Sequence, residues 1–242
     1  MLEAAAWGLV GGASLLVGAA LGIWTDLPAR TIGLILAFGA GTLVSAVAFE
    51  LTDEAYAAGG ADAVALGLAL GALAFFAGDT VIDHRGGEMR MSPMGEQEEG
   101  SSTALLLGAV LDGIPESAVI GITLLSGEGV GIAVVAAVFL SNLPEGLSSS
   151  TGLRHAGHST AWVLGVWVLV ALVCGLSAAA GYGLLDGASG NTLGLINAFA
   201  AGAVLTQLAD VMFPEALRHG GKAAGLATTF GFAVAFLLTT LG

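Results

Sequence analysis

Eight stretches of this chain, at 4–24, 31–55, 62–82, 103–125, 129–152, 160–184, 192–216 and 222–241, are apolar almost throughout. Each runs for about 20 residues or more, enough for a helix to cross a hydrocarbon core of about 30 Å. Lipid offers no partners to backbone N–H and C=O groups, so only helices and closed barrels can span it, and apolar runs of this length select helices. Hydrophobic residues make up 56% of the sequence and charged ones 10%, far below the roughly 25% charge of soluble domains. The expected fold is an all-α polytopic membrane protein in the lipid bilayer, one domain over 1–242 with eight transmembrane helices. Its longest hydrophilic segment, about 84–102, is rich in Gly, Met, Glu and Ser and reads as a flexible cytoplasmic loop.

The basic residues orient the bundle. Arg30, Arg85, Arg90, Arg154, Arg218 and Lys222 are every Lys and Arg in the chain, and all fall after the first, third, fifth or seventh stretch. The positive-inside rule then sets both termini outside a plasma membrane. The first stretch follows Glu3 and lacks a basic leader, so it reads as a retained helix and not as a cleaved signal peptide. Cys174 is the single cysteine; it can form no internal disulfide and reads as a small core residue. The net charge of −13 is concentrated in or beside the spans, which implies no basic partner and no role with nucleic acid.

Two echoing segments sit deep inside the fourth and fifth stretches: Leu111-Asp112-Gly113-Ile114-Pro115-Glu116-Ser117 and Leu140-Ser141-Asn142-Leu143-Pro144-Glu145-Gly146. A proline inside a helix frees the carbonyl four residues earlier, here Leu111 and Leu140. Each ionised residue at a bilayer centre costs about 2.5–3.5 kcal/mol, so Asp112, Glu116 and Glu145 unpaired would cost about 8–10 kcal/mol. No Lys or Arg lies within either segment, which leaves protons or a bound cation to neutralise them. Residues four apart share a helix face, so Asp112 projects with Glu116, and Ser141 with Glu145, while Asn142 lies one turn from Glu145. Two such helices packed antiparallel would bring together five oxygen donors, a metal-site pattern without sulfur or imidazole. The four histidines, His84, His155, His158 and His219, all fall on the cytoplasmic side; they either catch a leaving cation or are solvated loop residues.

The chain also repeats itself. Residues 37–55 align without gaps to 198–216, with identities that include Phe38 with Phe199, Gly41 with Gly202 and Glu54 with Glu215. In the orientation above these stretches run in opposite directions. The layout is therefore three spans, a central inverted pair and three spans, a 3+2+3 arrangement with inverted repeats of the kind alternating-access transporters use. The repeat places Glu50, Asp53 and Glu54 at the outer mouth and Asp210 and Glu215 toward the inner one. Both groups lie near helix C-termini, where negative charge is disfavoured. They are either a cation pathway or helix-end acids reaching headgroup water.

Taken with Pro115-Glu116, Pro144-Glu145-Gly146 and the seventh-stretch text FAAGA…PEA, the chain resembles the ZIP family of divalent-metal transporters over nearly its whole length. The resemblance implies eight spans, outward termini, a variable loop between spans 3 and 4, and a metal site between spans 4 and 5. It further implies a carrier unit of spans 1, 4, 5 and 6 moving against spans 2, 3, 7 and 8, cation uptake, and a homodimer. This sequence departs from the family motif at Asp112-Gly113, Ser141-Asn142 and Ser117, where the family has histidine, asparagine or glycine. Residues 161–181 contain no acid, so a single oxygen-lined site is expected instead of a bridged pair.

The expected function is transport of a divalent cation of the zinc, iron or manganese class as substrate, by alternating access through a midplane site, with no organic cofactor. The ligands would be Asp112, Glu116, Ser141, Asn142 and Glu145. The alternative is a ZIP-like protein that binds or senses metal without carrying it. An enzyme is not expected: Gly146-Leu147-Ser148-Ser149 faintly resembles the serine turn of rhomboid proteases, but no histidine lies in the membrane. An aspartyl dyad of Asp79 and Asp112 has no further support.

Overall fold

The computed structural model describes residues 1–97, 102–127 and 129–241. Among them the chain is helical and contains no strand. Helices α1 (Leu2–Trp24), α2 (Ala29–Ala46), α3 (Thr52–Ile82), α4 (Ser102–Thr123), α5 (Ile132–His155), α6 (Thr160–Leu185), α7 (Gly190–Gln207), α8 (Phe213–Gly220) and α9 (Ala223–Leu241) follow in order. Wider π turns at Val47–Leu51 and Leu208–Met212 carry α2 into α3 and α7 into α8. Seven continuous helical segments are long and apolar enough to cross a membrane, the longest being Ala29–Gly87. This is a multi-pass membrane protein. Its outward surface agrees, because Leu66, Leu70, Leu73 and Phe76 on α3, Leu172 and Leu176 on α6, and Leu226 and Phe230 on α9 are all exposed. Inside lie Ser14, Thr42, Asp112, Glu116, Asn142, Glu145 and Gln207, all buried.

The segment Ala29–Gly87 does not run straight. At Gly60 the backbone takes φ 71° and ψ −174°, a region open essentially to glycine alone. Beyond it α3 packs along α7 in the same direction, Gly67 against Leu195 and Ala198, and Gly71 against Phe199 and Ala203. α2 and α7 run oppositely: the end of α2 and the start of α7 meet around one cavity, while Gly33 near the start of α2 packs on His219 and Gly220.

Close backbone contacts at glycine sort the helices into two groups. A Cβ on Gly18 of α1 would strike the Leu143 carbonyl of α5, and one on Gly146 of α5 would strike the Leu15 carbonyl of α1. Gly121 and Gly181 join α4 to α6 in the same reciprocal way. In the other group Gly41 and Gly231 join α2 to α9, and Gly71 and Gly202 join α3 to α7. Small residues allow such approach where dispersion replaces the hydrophobic effect as the packing force. Between the groups the fit is made by side chains, as where the Pro144 ring seats against Gly39 and Leu111 against Gly78.

The segment expected to be a flexible loop is folded into the helices over its described part; residues 98–101 lie outside the described residues. Arg90, Met91, Ser92 and Gln97 are buried. Ser148 Oγ donates to the Met91 carbonyl at 2.6 Å, and Gln97 Nε2 donates to the carbonyls of Ser92 (2.8 Å) and Met89 (3.2 Å). His155 Nδ1 donates to the Pro93 carbonyl at 2.9 Å, and Arg218 forms a two-pronged pair with Glu96 at 2.6 and 2.7 Å. Hydrophilic composition suggested solvent, yet these contacts hold the segment across the ends of α5 and α8.

Candidate functional site

α4 and α5 continue through Pro115 and Pro144. Asp112, Glu116, Ser141, Asn142 and Glu145, the five donors expected from sequence, are all buried. Among the described residues, Asp112, Glu116 and Glu145 are not grouped closely enough to hold a metal ion as three acids. Ser141 Oγ donates to the Val138 carbonyl of its own helix at 3.0 Å, and Asn142 Nδ2 donates to the Gly11 carbonyl of α1 at 3.3 Å. Each of these bonds uses a donor hydrogen and leaves the side-chain oxygen, the atom a cation would take, uncommitted.

Asp112 has a partner that the sequence did not suggest. Arg90, only 4% exposed, donates from Nε to Asp112 Oδ2 at 3.1 Å and from Nη2 to Asp112 Oδ1 at 3.2 Å. The same Nη2 reaches Asp79 Oδ1 at 2.6 Å, and Nη1 lies 3.7 Å from Asp83. Neutralisation of Asp112 by a proton or a bound cation was expected because no basic residue lies in its helix. The correction is that a guanidinium from the preceding segment does it. A planar fork suits this role, since it bonds two carboxylates at once. Glycine at 108 makes the room: a Cβ there would collide with the Arg90 side chain.

Among the described residues no ion pair forms with Glu116 or Glu145, and a third residue joins them. Gln207, the last residue of α7 before its π turn, is fully buried and donates from Nε2 to Glu145 Oε1 at 3.4 Å. It also faces Glu116. Among the described residues, neither Glu116 carboxylate oxygen nor Gln207 Oε1 has a hydrogen-bond partner, nor do the hydroxyls of Ser117 and Ser45. Buried acceptors in that condition are expensive, and almost all in folded proteins find a donor or a cation. Gln207 was missed from sequence because an uncharged amide in an apolar run carries no charge penalty to flag it. Among the described residues no three side chains of His, Cys, Asp or Glu are set to hold a metal ion; the centre consists of two carboxylates and one amide. Beside it a void of about 20 Å³ touches Arg90, Asp112, Glu145 and Ser149, room for about one water.

The two ends differ. On one side a cavity of about 840 Å³ is lined by Glu50, Glu54, Thr123, Ser126, Asn197 and Thr239 among others. On α4 it reaches Ile122, about 9 Å along the helix from Glu116. Asp53 is exposed at the same end. On the opposite side Asp210 is exposed, but Glu215 is buried and engaged by His219 Nε2 at 3.0 Å and Arg218 at 3.6 Å. His84 and His155 bond to carbonyls and His158 stacks on Trp162; none of the four histidines reaches the centre. Neither the known protein-family models nor the curated proteins give any match to this chain.

Proposed function

We propose that this chain carries a divalent metal cation across the membrane by alternating access, with Glu116 and Glu145 as its charged ligands and Gln207 as a neutral one. The observation that carries this reading is the Glu116 carboxylate, buried with both oxygens unpartnered beside Glu145 and Gln207. Two carboxylates match the charge of a divalent ion, and amide and carboxylate oxygens suit hard cations. Such a donor set lowers the margin by which zinc outcompetes Mn²⁺ and Fe²⁺ without abolishing zinc binding.

Divided at Gly60, the helices make eight crossings, with α7, its π turn and α8 counted together. The two glycine-joined groups, α1, α4, α5, α6 and α2, α3, α7, α9, then correspond to the moving and fixed units that the ZIP resemblance implies. With loops 25–28, 88–97, 156–159 and 221–222 taken as cytoplasmic, the 840 Å³ cavity opens outward and the Arg90 segment closes the inner side. The proposed setting is a plasma membrane with both termini outside, as the homodimer that the ZIP resemblance implies. Release inward then requires Arg90 to leave Asp112. A second reading, a protein that binds metal without carrying it, is favoured by one observation: Arg90 is tied to both Asp79 and Asp112 and bars the inner route.

The test is flux in proteoliposomes across Zn²⁺, Mn²⁺ and Fe²⁺. Carriage predicts saturable uptake that Glu116→Gln and Glu145→Gln each reduce at least 100-fold. Binding without flux for every ion would leave the second reading standing. Neither binding nor flux would sink both.

A further inference from the structure

The outer cavity contains side chains that the central site does not use, and they have the makings of a cation site of their own. Glu50 lies on the π turn Val47–Leu51, whose extra residue turns it toward the cavity, and Glu54 follows one turn later. Opposite them on α7 stands Asn197, 4% exposed, which donates from Nδ2 to Glu54 Oε2 at 3.4 Å. Among the described residues its Oδ1 has no hydrogen-bond partner, and neither does Glu50 Oε1. An amide that already donates to one carboxylate, with its oxygen free among carboxylates, is arranged for a positive guest.

The internal repeat sharpens this. Glu54 aligns with Glu215, so the two ends can be compared. At the inner end the glutamate is neutralised by Arg218 and His219. At the outer end, among the described residues, no ion pair forms with Glu50, Asp53 or Glu54, and every Lys and Arg of the chain lies elsewhere. Charge was cancelled at one mouth and left open at the other.

We infer that Glu50, Glu54 and the Asn197 amide oxygen form a second site, which holds a hydrated divalent cation in the outer cavity before it reaches Glu116. Two carboxylates and one carbonyl oxygen leave several positions for water, and the cavity has room for them, so the ion keeps part of its hydration shell there. The identity of the guest rests on the carrier reading above; the site itself does not.

Manganese EPR on the purified full chain counts bound Mn²⁺ and separates the two. Wild type should bind in two classes. Glu116→Gln with Glu145→Gln should remove only the central class, and Glu50→Gln with Glu54→Gln only the outer one. Asn197→Leu, which keeps the shape and removes the oxygen, should weaken the outer class at least threefold. Loss of outer Mn²⁺ in the 50/54 variant with no change in Asn197→Leu would mean a diffuse acidic surface and would overturn the proposal, as would full Mn²⁺ binding in the 50/54 variant. If instead the 116/145 variant kept all its Mn²⁺ while the 50/54 variant lost it, the outer site would stand and the central reading would fall. Unchanged size-exclusion profiles would establish that each variant folds.

Discussion

Arg90→Met removes the one cation that Asp79 and Asp112 share. The guanidinium makes three hydrogen bonds of 2.6, 3.1 and 3.2 Å to the two carboxylates, with side-chain exposures of 4% for Arg90, 8% for Asp79 and 2% for Asp112. At charge separations of about 4 Å and an effective dielectric constant near 20, each attraction is about 4 kcal/mol before desolvation is subtracted. Breaking a buried pair from one side typically costs about 3–5 kcal/mol, because the stranded charge must be protonated or hydrated. That range is expected for Arg90→Met. Cys174, the single buried thiol, provides the assay: its alkylation in micelles reports opening of the bundle. A loss of about 3–5 kcal/mol would accelerate alkylation by roughly two to three and a half orders of magnitude. Adding Asp112→Leu and Asp79→Leu should recover most of the loss, since apolar replacements of buried ion pairs are often neutral. If Arg90→Met alkylates within about fivefold of wild type, a difference of about 1 kcal/mol, the guanidinium is not seated between these carboxylates and the closed inner side is wrong.

Gln207→His places an imidazole beside Glu116 and Glu145 and should shift competition between Zn²⁺ and Mn²⁺ toward zinc by about tenfold, or about 1.4 kcal/mol; an unchanged ratio would remove Gln207 from the ligand set. Gly18→Ala drives a methyl into the Leu143 carbonyl and should cost about 1–3 kcal/mol, whereas Gly165→Ala, with nothing near its Cβ, should be neutral or stabilise by up to about 1 kcal/mol; paired thermal melts decide. The Glu96 carboxyl is held below its ordinary value by the Ser92 hydroxyl and then by Arg218. A depressed folded value means that its stabilisation is present above the ordinary carboxylate range and fades as pH falls through the lower folded value. Hydrogen exchange over 88–97 should therefore keep its protection between pH 7 and pH 5 and lose it only in stronger acid, and Glu96→Gln should remove that acid-dependent step.

Much of the bundle was legible because lipid imposes so few solutions: an apolar run of this length becomes a helix, and the helices stand where the runs are. The acids at 112, 116 and 145 announced themselves by their cost. Arg90 did not, because a basic residue in a Gly- and Met-rich segment carries no mark of burial; only the cleft at Gly108 and the anchoring of Met91 and Pro93 show where it goes. Helix periodicity places a side chain on a face but not on a partner, so the bonds that Ser141 and Asn142 donate to the carbonyls of Val138 and Gly11 were not legible. Gln207 came from a helix distant in sequence, and no local pattern points from it to Glu145.

The π turns at Val47–Leu51 and Leu208–Met212 hold a record of the chain's origin. In the alignment of 37–55 with 198–216 they occupy the same five columns. A π turn is rare within an α-helix and is frequently found at functional sites. Two separate insertions at one column would need a coincidence. A single insertion in an ancestral unit, copied afterwards by duplication, accounts for both. The shared bend sits at matching positions of two oppositely running helices, and each copy carries an acid of its own end, Glu50 in one and Asp210 in the other.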